Sequence, residues 1–132
     1  MPTGVEVYEI NGPFFFGVAD KLQDTLRGLE RPPKVFILRM RRVPAIDATG
    51  LHALEEFYRR CHRQGTTLLL SGVHAQPLFA FVRAGFDKVV AEENIFGNID
   101  DAVNRARELL GLPPQPRPSG AFSEVAREQG QG

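Results

Sequence analysis

The order of apolar and polar residues along the chain switches between a period of two and a period near 3.6, and those switches predict its elements. Val5-Glu6-Val7-Tyr8-Glu9-Ile10 alternates strictly and predicts a strand, with Val5, Val7 and Glu9 on one face and Tyr8 and Ile10 on the other. Asn11-Gly12-Pro13 breaks it, and Phe14-Phe15-Phe16 reads as a short second strand, antiparallel to the first. From Val18 the period lengthens: Val18, Leu22, Leu26 and Leu29 fall at helical spacing until Gly28 and Pro32-Pro33 end the run. Val35-Phe36-Ile37-Leu38, led by Lys34 and closed by Arg39, is continuously apolar, as a central strand covered on both faces must be. Leu51, Leu54, Tyr58 and Cys61 mark a second helix, with Glu55/Arg59 and Glu56/Arg60 spaced i,i+4 on its outer side and Gln64-Gly65 as its stop.

Thr66 to Ser71 predicts another buried strand. Pro77 then opens a short helix carrying Leu78, Phe79 and Val82 and closed by Gly85, and Val89-Val90 reads as a last short strand. Asn98 has the form of an N-cap with Asp101 at the third helical position, ahead of a stripe of Ile99, Ala102, Val103, Ala106, Leu109 and Leu110 that ends at Gly111. Strands alternating with helices imply βαβ units. The expected fold is therefore α/β: a mixed, mostly parallel sheet of four to five strands with an antiparallel N-terminal strand, packed with about four helices. From Leu112 the pattern stops. Pro113-Pro114-Gln115-Pro116-Arg117-Pro118 has no periodicity, so the expectation is one domain over 4–111 and a Pro-rich, disordered tail over 112–132.

Composition adds limits to this outline. The 132 residues hold 16 basic and 16 acidic side chains, so the formal net charge is zero, and no basic surplus exists to drive nucleic-acid binding. The basic side is mostly Arg, which favours planar, bidentate pairing. A single Cys forbids an internal disulfide and fits a reducing cytoplasm. The N-terminal residues lack the form of a secretory signal and no segment is apolar enough to span a membrane, so the chain as given reads as soluble.

The chemistry concentrates in Arg41-Arg42-Val43-Pro44-Ala45-Ile46-Asp47-Ala48-Thr49-Gly50-Leu51, which runs from the central strand into the second helix. Ligands of open α/β sheets bind at the carboxyl ends of the strands, where a helix N-terminus also offers unpaired N–H groups. Asp47 or Thr49 can cap that helix, Gly50 permits close approach, and a phosphate on Thr49 would meet the positive end of the helix dipole. From composition and spacing alone, plain capping is the favoured reading of the same residues. The candidate partner- or ligand-binding set is Asp47, Ala48, Thr49, Gly50 and Leu51, with Thr49 as the phosphorylation-like position.

Two separated segments, Val5 to Gly17 and Val43 to Leu51, together resemble the STAS domain, named for sulfate transporters and anti-sigma factor antagonists. The order Val-Tyr-x-Ile-x-Gly-Pro-x-Phe-Phe-Gly is similar to the branch found in the SulP anion permeases. In the free-standing antagonists the motif reads Asp-Ser-Ser/Thr-Gly, and the hydroxyl residue before Gly is phosphorylated by a partner kinase. Thr49 holds that place here, while Ala48 replaces a Ser of the pattern. The resemblance implies a non-catalytic, regulatory or interaction domain on the cytoplasmic side of an inner (plasma) membrane anion transporter, of the sulfate or bicarbonate class, with this chain a piece cut from its membrane part. Its partners would be the membrane transport domain of the parent protein, a cytosolic regulatory protein, or a second copy in a homodimer. Two other readings stay open: an antagonist switched at Thr49, and a domain that senses a nucleotide or anion near Asp47.

The remaining chemistry-bearing residues have plainer readings. Arg39, Arg41 and Arg42 can attract an anion, a nucleotide phosphate or lipid headgroups, but equal acid and base counts favour ion pairs. His52, His62 and His74 lack metal-ligand spacing, no phosphate-binding loop is present, and Cys61 lies on an apolar stripe. No metal, cofactor or enzymatic activity is expected. Phe14, Phe15, Phe16, Phe79, Phe81 and Phe86 are expected mostly in the core, with one ring of the Phe14–Phe16 run left for a partner if the sheet is covered on one face only.

Overall fold

The computed structural model describes residues 1–12 and 18–116. The expected strand at Phe14–Phe16 and the tail beyond residue 116 lie outside the described residues. In chain order the elements are β1 (Val5–Asn11), α1 (Val18–Arg27), β2 (Val35–Arg42), α2 (Ala48–Arg63), β3 (Thr67–Ser71), α3 (Ala75–Ala84), α4 (Phe86–Val90), a single 3-10 turn (Glu92–Asn94) and α5 (Ile99–Leu109). The α/β class, the parallel sheet and the placement of the long helices agree with the sequence pattern.

β2 is central, paired in parallel with β1 on one side and β3 on the other. Its four-residue apolar run is buried throughout, and the alternation of side chains splits it between two layers. Phe36, Leu38 and Met40 join Leu68, Leu70, Leu54 and Phe57 in the larger core, where Phe36 meets Phe57 edge-on at 5.1 Å between ring centroids. Val35 and Ile37 face the other way with Leu69, against Ala102 and Ala106 of α5. Two alanines one turn apart let α5 approach the sheet closely. Burying each of the large β2 side chains contributes about 2 kcal/mol of transfer free energy, so a polar residue anywhere in the run would be felt in one layer or the other.

The structure corrects the sequence outline in three places. The N-terminal strand runs parallel to β2, not antiparallel within the sheet, and the described sheet has three strands. Val89-Val90 is the end of helix α4, in which Phe86 and Val90 are buried while Val89 is 54% exposed. The i,i+4 spacing of Phe86 and Val90 was the overlooked sign, since it places both on one helical face. The fourth strand position is reduced to a bridge between Leu70 and Ile95, where the Phe96 N–H donates to the Leu70 carbonyl at 2.8 Å.

α3 is the third correction. It begins at Ala75, two residues before Pro77, and buries Pro77 and Phe81, whose ring packs edge-on to Phe86 at 5.3 Å. Leu78, Phe79 and Val82 face outward instead, at 40, 60 and 54% exposure. Two apolar stripes compete on this helix and only one can meet the core; the Phe81–Phe86 contact decides which. Leu109 of α5, expected in a buried stripe, is likewise 40% exposed, because the small Ala102 and Ala106 make that contact.

The first residues of the expected tail continue onto α5. The Leu112 N–H donates to the Arg107 carbonyl at 2.8 Å, and the Asn104 amide both donates to the Gln115 carbonyl (3.1 Å) and accepts from its N–H (2.8 Å).

This α3 orientation makes opposite predictions for two phenylalanines. In urea denaturation Phe81→Ala is expected to cost about 3–5 kcal/mol, whereas Phe79→Ala should cost less than about 1 kcal/mol. Equal losses would contradict the assignment.

Candidate functional site

The loop from β2 into α2 is anchored before it is exposed. Val43 and Ile46 are buried, and the Gln76 side chain on α3 pairs with both backbone groups of Ile46, accepting from its N–H at 2.8 Å and donating to its carbonyl at 3.2 Å. This amide pair ties the start of α2 to the start of α3. Asp47 follows in extended conformation as the N-cap: its Oδ1 accepts from the Gly50 N–H at 2.7 Å, and its carbonyl accepts from the Leu51 N–H at 2.8 Å.

The five residues singled out in the sequence therefore divide by role. Asp47, Ala48 and Thr49 stand together on the surface, whereas Gly50 and Leu51 are buried beneath them. The Asp47 carboxylate is committed to the cap. Thr49 offers an exposed hydroxyl in the first turn of a sixteen-residue helix, at the end where a negative charge is stabilised.

Beside this turn lies a shallow groove of about 430 Å³ between α2 and α3, lined in part by Ile46, Asp47, Leu51, Phe79 and Arg83. The Arg83 guanidinium sits over the Phe79 ring at 5.6 Å, a cation–π contact that holds both side chains on the surface. Sequence reading missed this wall because it turned Phe79 inward. The outward sign was Arg83, four residues on and so on the same helical face.

The three arginines before the motif are paired, as the charge balance suggested, but all with one acid. Glu9 Oε2 accepts from Arg41 Nε at 3.2 Å and from Arg42 Nε at 3.1 Å, and Arg39 Nη1 lies 3.9 Å from Glu9 Oε1. The Arg41 hydrogen bond is the main cause holding the Glu9 carboxyl below its usual value of 4.5, against partial desolvation and with help from the charges of Arg41 and Arg39.

On α2 the expected Glu55/Arg59 and Glu56/Arg60 spacing gives way to an i,i+3 pair of Glu56 with Arg59. Arg59 bonds Glu56 at 2.8 Å, and His52 lies within 4 Å of both Glu55 and Glu56. His62 stacks on Tyr58, and His74 Nε2 lies 2.6 Å from the Arg41 carbonyl, so the three histidines stand apart. Cys61 is buried, and burial pushes its thiol up to about 12, which removes the thiolate a nucleophile needs.

Residues 2–102 match the family described as the STAS domain. The putative sulfate transporter YvdB of Bacillus subtilis (strain 168) is 29% identical over 98 residues, which make up 74% of this chain and 18% of that protein. Among solved structures, a sulfate transporter family protein from Wolinella succinogenes superposes with a TM-score of 0.80 at 57% identity, covering 84% of this chain and 91% of that one. The SulP transporter STAS domain from Vibrio cholerae gives a TM-score of 0.77 at 32% identity over 84% and 87% of the two chains. The chain thus spans under a fifth of the length of the curated relatives it matches. No helix among the described residues is long and apolar enough to cross a membrane.

Two measurements probe this site. Asp47→Ala removes the α2 cap and is expected to cost about 1 kcal/mol in denaturant unfolding, with Asp47→Ser close to wild type. The lowered carboxyl of Glu9 stabilises the fold fully above its ordinary value of 4.5, and that contribution is lost as the pH falls through the lowered one. Glu9→Gln should therefore flatten the acid side of the stability–pH curve; an unchanged acid limb would contradict the pairing.

Proposed function

The chain belongs to the STAS domain family, in its SulP sulfate-transporter branch, and from that premise we propose that it is the cytoplasmic, non-catalytic regulatory domain of an anion transporter of the sulfate or bicarbonate class. On this reading residues 4–111 form the working unit, and 112–132 are a tail that starts along α5. The observation that supports an interaction role is the surface where the Asp47–Thr49 turn meets the outward Phe79 and Arg83. An exposed ring and guanidinium beside a shallow groove are the side chains that carry binding energy when a partner covers them. The partner is the membrane transport domain of the parent protein, with a cytosolic regulatory protein able to compete for the same face. The high pKa of Cys61 and the dispersal of the histidines fit a domain that binds and does not catalyse.

A second reading draws on Thr49. Its exposure in the first turn of α2 suits a phosphorylation switch, as in a free-standing antagonist.

Anion uptake by the parent transporter tests the first reading. Deleting the domain, and separately placing Phe79→Glu in the intact transporter, should each lower uptake or the amount of transporter in the membrane several-fold. Unchanged uptake and amount in both would overturn it, as would a parent gene that encodes no hydrophobic segments beside this domain. For the second reading, intact mass after incubation with candidate kinases should show one phosphate on wild type and none on Thr49→Ala.

A further inference from the structure

At the carboxyl end of the sheet, three guanidinium groups surround one carboxylate. A regular strand would send Arg41 and Arg42 to opposite faces of the sheet. Here the register changes: Glu9 pairs with Arg39 and Asn11 with Arg42, so two steps along β1 oppose three along β2, and the extra residue is a bulge. Bulges re-aim side chains, and this one brings both Arg41 and Arg42 onto Glu9 Oε2.

The backbone around the bulge is fixed from the other side. Gly72, with φ +69°, passes so close to Arg41 that a Cβ there would lie 2.8 Å from the Arg41 Cβ and 2.9 Å from its backbone N and Cα. The Arg41 carbonyl in turn meets His74 Nε2 at 2.6 Å. Arg42 is held through its carbonyl, which accepts from the Gly12 N–H at 2.9 Å.

Charge does not balance in this cluster. Three guanidinium groups against Glu9 leave two positive charges, and among the described residues Arg41 and Arg42 make no other ion pair. Arg41 and Arg42 contact Glu9 through Nε, and their side chains are 51 and 60% exposed. Glu9 therefore acts as an internal strut that orients two guanidinium groups while their terminal nitrogens stay available to solvent. A planar fork of that kind matches a tetrahedral oxyanion in bidentate fashion.

We propose that Arg41 and Arg42, braced by Glu9 at the β2 bulge, form a binding site for a phosphate-type oxyanion. This site is distinct from the Asp47–Thr49 turn, and it stands independently of the transporter reading. Free inorganic phosphate and the phosphate monoester headgroup of phosphatidic acid share the chemistry that the forks would recognise.

The test uses the full 132-residue chain at constant ionic strength. The Arg Nε–H resonances are followed by NMR during titration with inorganic phosphate, with sodium chloride as the control for plain screening. In parallel, co-sedimentation is measured with phosphatidylcholine vesicles with or without phosphatidic acid. Saturable shifts of Arg41 and Arg42 with phosphate and not with chloride support the site and identify the free anion as its ligand. Phosphatidic-acid-dependent sedimentation that is lost in R41Q/R42Q supports it with the headgroup as ligand. R41Q/R42Q should weaken binding at least about tenfold, and R41K/R42K, which keeps the charge and loses the forks, should bind phosphate no better than chloride. Identical responses to chloride and phosphate, full binding by R41K/R42K, or no saturable response in either arm would overturn the proposal.

Discussion

The fold depends on the burial of β2 on both faces. A strand whose consecutive residues Val35, Phe36, Ile37 and Leu38 are all apolar cannot lie at a surface, so one helical layer must cover each side of the sheet. α5 closes the Val35–Ile37 side, and α1 to α4 close the Phe36–Leu38 side. Parallel pairing follows from the same demand, because each crossover has to lay a helix over one face before the next strand is added. The exposed chemistry is then confined to where β2 leaves the core, at Arg39 to Arg42 and the turn into α2.

Much of this was legible in the sequence because the signals were redundant. The Asp47 cap was marked by residue type, by its place before an amphipathic run and by the family motif, and the observed Asp47–Gly50 bond agrees. The same holds for Asn98, whose Oδ1 accepts from the Asp101 N–H at 2.8 Å. Failures came where two patterns fit equally well. On α3 the stripes Pro77–Phe81 and Leu78–Val82 both have helical spacing, and only the position of Phe86 breaks the tie. Val89-Val90 is too short to carry a period by itself, and its partner in the helix, Phe86, lay outside the pair.

The arginines show a different limit. Equal numbers of acids and bases correctly implied pairing, yet composition says nothing about how pairs are shared. Arg39 faces Glu9 in regular register, and Arg41 and Arg42 both join it there only because of a single register shift, which has no signature in either strand alone. A residue count that is neutral over the whole chain thus conceals a local excess of positive charge at one end of the sheet.

Met1 and Pro2 share a small cavity with Asn104, Gln115 and Pro116, and Gly4 lies against Leu110. The first and last described residues are therefore neighbours at the end of the sheet where the strands begin, while β1 spans about 20 Å to the arginine edge. A polypeptide joined ahead of Met1 would hold the domain as a lamp is held by its base, with the arginine edge at the far end of β1 from that attachment.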